Sequence, residues 1–127
     1  MAEDVRSSAP GEFGSLRLAS AGLAFDDTEV EVDTLAEGDV IIHYWVEVVT
    51  GFDGSASLTV GDGTDVDKYG ASAAFTEATP GLYPAASEAR GPFAAEAADG
   101  VLTMALTATA PTVGAARLYA LIGSAPA

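Results

Sequence analysis

The chain has 127 residues, 19 acids against five bases, one histidine and no cysteine, for a formal net charge of −14. Without cysteine there is no disulfide frame, no thiolate chemistry and no sulfur-ligated metal site. The bases Arg6, Arg17, Lys68, Arg90 and Arg117 stand singly, which excludes the clustered positive charge that nucleic acid or an anionic membrane surface requires.

A chain of this length is most economically one domain, burying roughly two-thirds of its unfolded surface. Its start, MAEDVRSSAPGEFGS, lacks the basic region and apolar run of a secretory signal. No later apolar stretch is long enough to cross a bilayer. Synthesis in the cytoplasm as a soluble protein is the expectation. The charge suits a surface turned to water or to a basic patch on a partner.

Residues 1–13 read as a polar arm that adds little to a core, with Phe13 its one aromatic. From residue 14 to 127 the pattern predicts a single domain built of short strands separated by turns. SLRLASAGLAF (15–25) alternates Leu16 and Leu18 with Arg17 and Ala19. TEVEVDTL (28–35) alternates Val30 and Val32 with Glu29, Glu31 and Asp33, a half-buried strand with one acidic face. VIIHYWVEVVT (40–50) and SASLTVG (55–61) follow, separated by an FDG turn at 52–54.

Between about 65 and 98 the pattern is less regular. DKYGASAAF reads as a strand or a helical turn, and the Ala-rich piece 94–98 is too short for a helix. TPGLYP (79–84) and ARGPF (89–93) read as loops, because proline cannot donate to a central ladder. GVLTMALTATA (100–110) and GAARLYALIG (114–123) supply two final strands. Seven or eight strands without an amphipathic helix predict an all-β, antiparallel β-sandwich of jelly-roll type.

Strict alternation along 40–50 puts Val40, Ile42, Tyr44, Val46 and Val48 on one face, with Ile41, His43, Trp45, Glu47 and Val49 on the other. Both faces are too apolar for open water. Either a second layer covers the mixed one, which general burial rules favour, or another protein does.

The chemical candidates are few. Asp62, Asp65 and Asp67 in VGDGTDVDK could offer oxygens to calcium, but the spacing lacks the late glutamate and the flanking helices of an EF-hand. A solvated β-turn explains them better, and Lys68 beside Asp67 argues the same way. His43, the single histidine, lies mid-strand, and no G-x-S-x-G elbow exists to serve a triad. Glu29 and Glu31 share a face, where solvation is the expected role. VGDGTD lacks the lysine of a phosphate loop. No metal, cofactor or catalytic constellation is expected, and the chain reads as a non-enzyme.

The run VEVVTGFDGSASLTVGDGTDVDKYGAS, with Val49, Thr50, Phe52, Asp53, Gly54, Leu58, Thr59, Val60, Gly61, Asp62, Asp65 and Tyr69, resembles a segment of small structural proteins of tailed bacteriophages. The late TATAPTVGAARLYALI is similar to their closing hairpin, and together the two stretches cover residues 40–75 and 103–122. The resemblance implies a β-sandwich without catalysis that serves as a capsid decoration (cement) protein. Such a protein is made in the host cytoplasm and carried on the capsid exterior as a homotrimer against the major capsid protein. Phe13, His43, Trp45 and Glu47 are then the expected partner contacts. A tail or fibre accessory role is the alternative within this class. A carbohydrate-binding sandwich using Tyr69, Tyr83 and Phe93 is the alternative outside it, with a hydrolase third.

Overall fold

The computed structural model describes residues 15–71, 75–84, 96 and 98–124. The expected arm 1–13 with Phe13, the ARGPF loop and most of the Ala-rich piece lie outside the described residues. Seven strands are present: β1 (Ser15–Ala24), β2 (Glu29–Leu35), β3 (Val40–Thr50), β4 (Ser57–Gly61), β5 (Gly81–Pro84), β6 (Gly100–Thr107) and β7 (Ala115–Ser124). No helix occurs among the described residues.

The strands form two antiparallel sheets in the orders β1-β7-β3-β5 and β2-β6-β4. The pairings nest: β1 with β7, β2 with β6 and β3 with β5, around β4. This is a long antiparallel ribbon rolled into two sheets, the jelly-roll pattern. An eight-stranded roll would place one more strand beside β4. Here a single bridge takes that position, where the Val60 N–H donates to the Gly70 carbonyl at 2.9 Å and the Gly70 N–H to the Val60 carbonyl at 3.1 Å.

The core lies between the sheets. β3 and β7 contribute Ile41, Tyr44, Val46, Val48, Leu118, Ala120 and Ile122, opposed by Leu58, Val60, Leu102, Met104 and Leu106 of β4 and β6. Each such aliphatic side chain stabilises the fold by about 1.5–3 kcal/mol through burial. The loop residues Phe52, Tyr69 and Phe75 close the ends.

Three features depart from the sequence pattern. First, β3 does not alternate strictly. Its register with β7 shifts between Ile41 and His43 and again between Val48 and Thr50. A bulge of this kind moves every later side chain to the opposite face, so Ile41 joins Tyr44, Val46 and Val48 in the core. Second, β1 turns Arg17, Ala19, Ala21 and Leu23 inward and leaves Leu16 and Leu18 outside, 59% and 66% exposed. Arg17 is inward because it ties the sheets together. Its Nε donates to Asp33 Oδ2 at 2.8 Å, and its Nη2 to Asp39 Oδ2 at 3.2 Å and to the Thr34 carbonyl at 3.0 Å. Third, residues 81–84 of the expected TPGLYP loop pair with β3 as β5, Gly81 opposite Val48 and Pro84 opposite Trp45. Proline is excluded only from central strands, and β5 is an edge.

Candidate functional site

The outward surface of the four-stranded sheet is set by the β3 bulge, which aims His43, Trp45 and Glu47 away from the core. Cross-strand register then builds three rows. Leu18, Leu121 and His43 form the first. Ser20, Tyr119, Trp45 and Pro84 form the second, and Gly22, Arg117, Glu47 and Leu82 the third. The His43 and Trp45 rings meet edge to face with centroids 4.7 Å apart, a favoured aromatic geometry. The Tyr119 hydroxyl donates to Glu47 Oε1 at 3.0 Å, and that hydrogen bond pushes the phenol pKa up.

Leu18, Trp45, Glu47, Leu82 and Tyr119 line an open depression of about 470 Å³. Leu82 is 62% exposed. The three rows hold one acid, Glu47, directly opposite one base, Arg117, so this face is near neutral on a molecule of charge −14. The expected second layer over it does not occur among the described residues, since the other sheet packs on the opposite side. An apolar, aromatic, charge-balanced sheet face of this kind is a protein-docking surface in composition.

The other outer face differs in every respect. Its rows are Glu29, Ala105 and Thr59, then Glu31, Thr103 and Gly61, and the acidic loop after β4 folds over the second row. Gly61 lies so close beneath that loop that an added Cβ would sit 2.1 Å from the Asp65 carbonyl oxygen. Thr103 is buried below it, its hydroxyl without a hydrogen-bond partner among the described residues.

Asp62 organises the loop. Its Oδ1 accepts the Asp65 N–H at 2.7 Å and the Thr64 N–H at 3.0 Å, and its Oδ2 lies 3.4 Å from Lys68 Nζ. The Asp65 and Thr64 amides and the Lys68 charge outweigh partial desolvation and hold its carboxyl below the ordinary range. Asp65 is instead pushed up, first by a shared hydrogen bond with Asp67 and also by burial and that neighbour's charge. Lys68 also reaches Glu96 at 3.6 Å, and Glu96 accepts the Tyr69 hydroxyl. The Tyr44 hydroxyl donates to the Tyr69 carbonyl at 2.8 Å inside the core. Burial pushes the Tyr44 and Tyr69 phenols far up, with Glu96 adding to the latter.

The structure thus brings His43, Trp45 and Glu47 together on one face, while Phe13 lies outside the described residues. Asp62, Asp65 and Asp67 are arranged as a turn, and no group of three acids or histidines poised to hold a metal occurs among the described residues. Glu29 and Glu31 are exposed on the acidic face. Tyr69, named for sugar stacking, is only 2% exposed and cannot present its ring. Tyr83 donates its hydroxyl to the Thr79 carbonyl and packs against the core, and Phe93 is outside the described residues. Sequence reasoning missed Leu18, Leu82, Tyr119 and Leu121 as parts of the face. The alternation of Arg117, Tyr119 and Leu121 in β7 was the signal available for two of them.

The two stretches that carried the phage resemblance meet in space. Asp53 Oδ1 accepts the Thr112 N–H at 2.8 Å, and its other oxygen accepts the Thr112 hydroxyl. Thr109 N–H donates to the Gly54 carbonyl at 2.7 Å. Gly114, at φ 144°, lies against the buried Phe52 ring, where a Cβ would come within 2.2 Å of it. The recurrent turn residues therefore form one joint that fixes the β3–β4 and β6–β7 connections together.

No protein-family model matches the chain, and no curated protein does. Solved structures share its fold. A chain of the cyanophage Pam1 capsid asymmetric unit superposes with a TM-score of 0.67 at 20% identity, over 94% of this chain and 94% of that one. A chain of the acidic stable capsid structure of Helicobacter pylori bacteriophage KHP30 superposes with a TM-score of 0.69 at 15% identity, over 87% and 89% of the two chains.

Proposed function

We propose, from a fold shared over nearly its full length with chains of two phage capsid structures, that this protein is a non-catalytic structural component of a phage virion. Within that role it is a decoration (cement) protein, held as a homotrimer on the outside of the shell and bridging adjacent major capsid subunits. The observation that carries the reading is the open face with Leu18, Trp45, Leu82, Tyr119 and Leu121. An apolar surface of this kind on a monomeric domain is a liability unless another protein covers it. His43 and Glu47 sit within it as polar points that fix orientation, and Phe13 on the arm is a second anchor. Many copies bridging neighbouring subunits add their contacts through avidity. The molecule's acidity leaves nucleic acid and anionic membrane as poor partners.

Shells assembled without this chain provide the test. The purified protein should saturate them at a fixed ratio to the shell subunit, and Trp45→Ala combined with Leu82→Ser should abolish saturation while the free protein keeps its circular dichroism. Deleting residues 2–12 should leave the thermal midpoint unchanged and speed dissociation, because changes within one interface appear mainly in the off-rate. Absence from purified virions, or unchanged binding by the double variant, would overturn the assignment.

A further inference from the structure

The two sides of the sandwich treat their strand edges differently. On one side, β4 is capped by the Gly70 bridge, and β5 is four residues long, preceded by Pro80 and ending in Pro84. On the other side lie β1 and β2. β2 is interrupted by a register shift between Glu31 and Asp33, but β1 pairs with β7 over ten residues without a break. Proteins normally blunt a free edge by shortness, proline, a bulge or lysine, because its unpaired amides are a template for another strand. β1 uses none of these between Leu18 and Leu23. Its one charge, Arg17, lies near its start and is already held by Asp33 and Asp39.

Phe25 N–H donates to the Gly114 carbonyl on the β7 side, whereas Ala24 N–H is taken on the other side by Asp27 Oδ2 at 2.9 Å. Alternation along an antiparallel pair then assigns Ala19, Ala21 and Leu23 to the β7 ladder and turns the N–H and C=O groups of Leu18, Ser20 and Gly22 to the open edge. Among the described residues nothing bonds to them.

We propose that this edge accepts an extended segment of the shell subunit, rich in basic side chains, as a fifth strand of the sheet; the proposal rests on the shell-binding reading above. Main-chain pairing with Leu18, Ser20 and Gly22 supplies the attachment, and the charge around the edge selects the segment. Asp26, Asp27, Glu29, Glu31 and Glu37 lie in and beside the turns and strand of this side, five acids against two bases: Arg17, already paired with Asp33 and Asp39, and Arg117, which stands opposite Glu47 and donates to Ser20 Oγ at 3.4 Å. A second copy of the chain would bring the same acids face to face, which disfavours self-pairing here. An added strand would also extend the apolar face from Leu16 and Leu18 outward.

Hydrogen exchange measured by mass spectrometry on the free protein and on the protein bound to undecorated shells tests this. Amides in Leu18–Gly22 that point to the edge should exchange rapidly in the free protein and at least about tenfold more slowly on the shell, the protection expected of new ladder hydrogen bonds. Ser20→Pro removes an N–H that β7 does not use, so the fold should survive while dissociation from shells accelerates by about tenfold. Gly22→Pro is the second variant of the same kind, and raised salt should weaken wild-type binding. If the wild type binds shells but its edge amides stay unprotected and both proline variants dissociate at the wild-type rate, the acceptor edge is overturned and decoration stands. If the wild type does not bind shells, the decoration reading falls and the edge assignment with it. Protection that appears instead in the free protein as its concentration rises assigns the edge to a second copy and overturns the basic segment.

Discussion

The two outer faces of this sandwich are built from the same kind of strand but end differently. Over the three-stranded sheet, the surface is small, hydroxylated and acidic, and the loop after β4 roofs its centre by covering Gly61 and Thr103. Over the four-stranded sheet, leucines and aromatic rings stand in register without a roof among the described residues. The first face satisfies itself with its own chain and water. The second is energetically incomplete alone. The difference teaches that a sheet face is finished by what folds over it, and the open face is the one the proposed partner would cover.

The largest expected effect comes from lifting the roof. Gly61→Ala forces a methyl group against the Asp65 carbonyl and Val66, backbone that cannot step aside without moving the loop. Overpacking of this kind should cost about 3 kcal/mol, read from urea unfolding. A loss below about 0.5 kcal/mol, the scale of a neutral surface change, would mean the loop only grazes the sheet.

Next is the seam that holds the two faces together. Arg17→Met leaves Asp39, buried at 4% exposure, without its guanidinium. The cost should be about 2 kcal/mol at neutral pH, less than for a fully buried pair because the Arg17 side chain is 36% exposed. Burial alone would raise the Asp39 carboxyl, but the Ala36 N–H and Arg17 outweigh it and hold the pKa low. A depressed folded value contributes stability above the unfolded pKa, near 4, and loses it as pH falls toward the folded value. The wild-type and variant stability curves should therefore converge below about pH 4. Parallel curves would show that the ion pair does not couple to stability.

A smaller effect separates a turn from a metal site in the roof itself. Asp62→Ala removes the acceptor for two backbone amides and should cost about 1 kcal/mol, equally in calcium and in chelator. A calcium-dependent gain above about 2 kcal/mol for the wild type would make the acidic loop a binding site.

The smallest stability effect belongs to the unfinished face. Leu18→Ser and Leu82→Ser should each shift stability of the free protein by no more than about 0.5 kcal/mol, because both side chains are already more than half exposed. Shell binding is where they should count. If either variant loses stability like a core substitution, the face is closed by chain outside the described residues and the two faces do not differ in this way.

Sequence alone determined the strand content and the sandwich, because β-branched and aromatic runs between Gly, Pro and Asp turns leave few other ways to bury this chain. It also determined the reading of the acidic loop as a turn, since Asp62 followed by glycine and Thr64 makes local backbone hydrogen bonds in any context. Which side of each strand faces the core was decided only by tertiary structure. A bulge at Ile41–His43 is invisible to a period-two pattern, yet it puts Ile41 inside and aims His43, Trp45 and Glu47 outward. Leu16 and Leu18 gave the same signal as buried leucines, and only the Arg17 link to Asp33 on the neighbouring sheet and to Asp39 in the turn before β3 shows why they point to water. Residues 81–84 could be recognised as a strand only once β3 was placed beside them, because a proline forbids the middle of a sheet and leaves its edge open. Register is a property of pairs of strands, and a pair exists only in the fold.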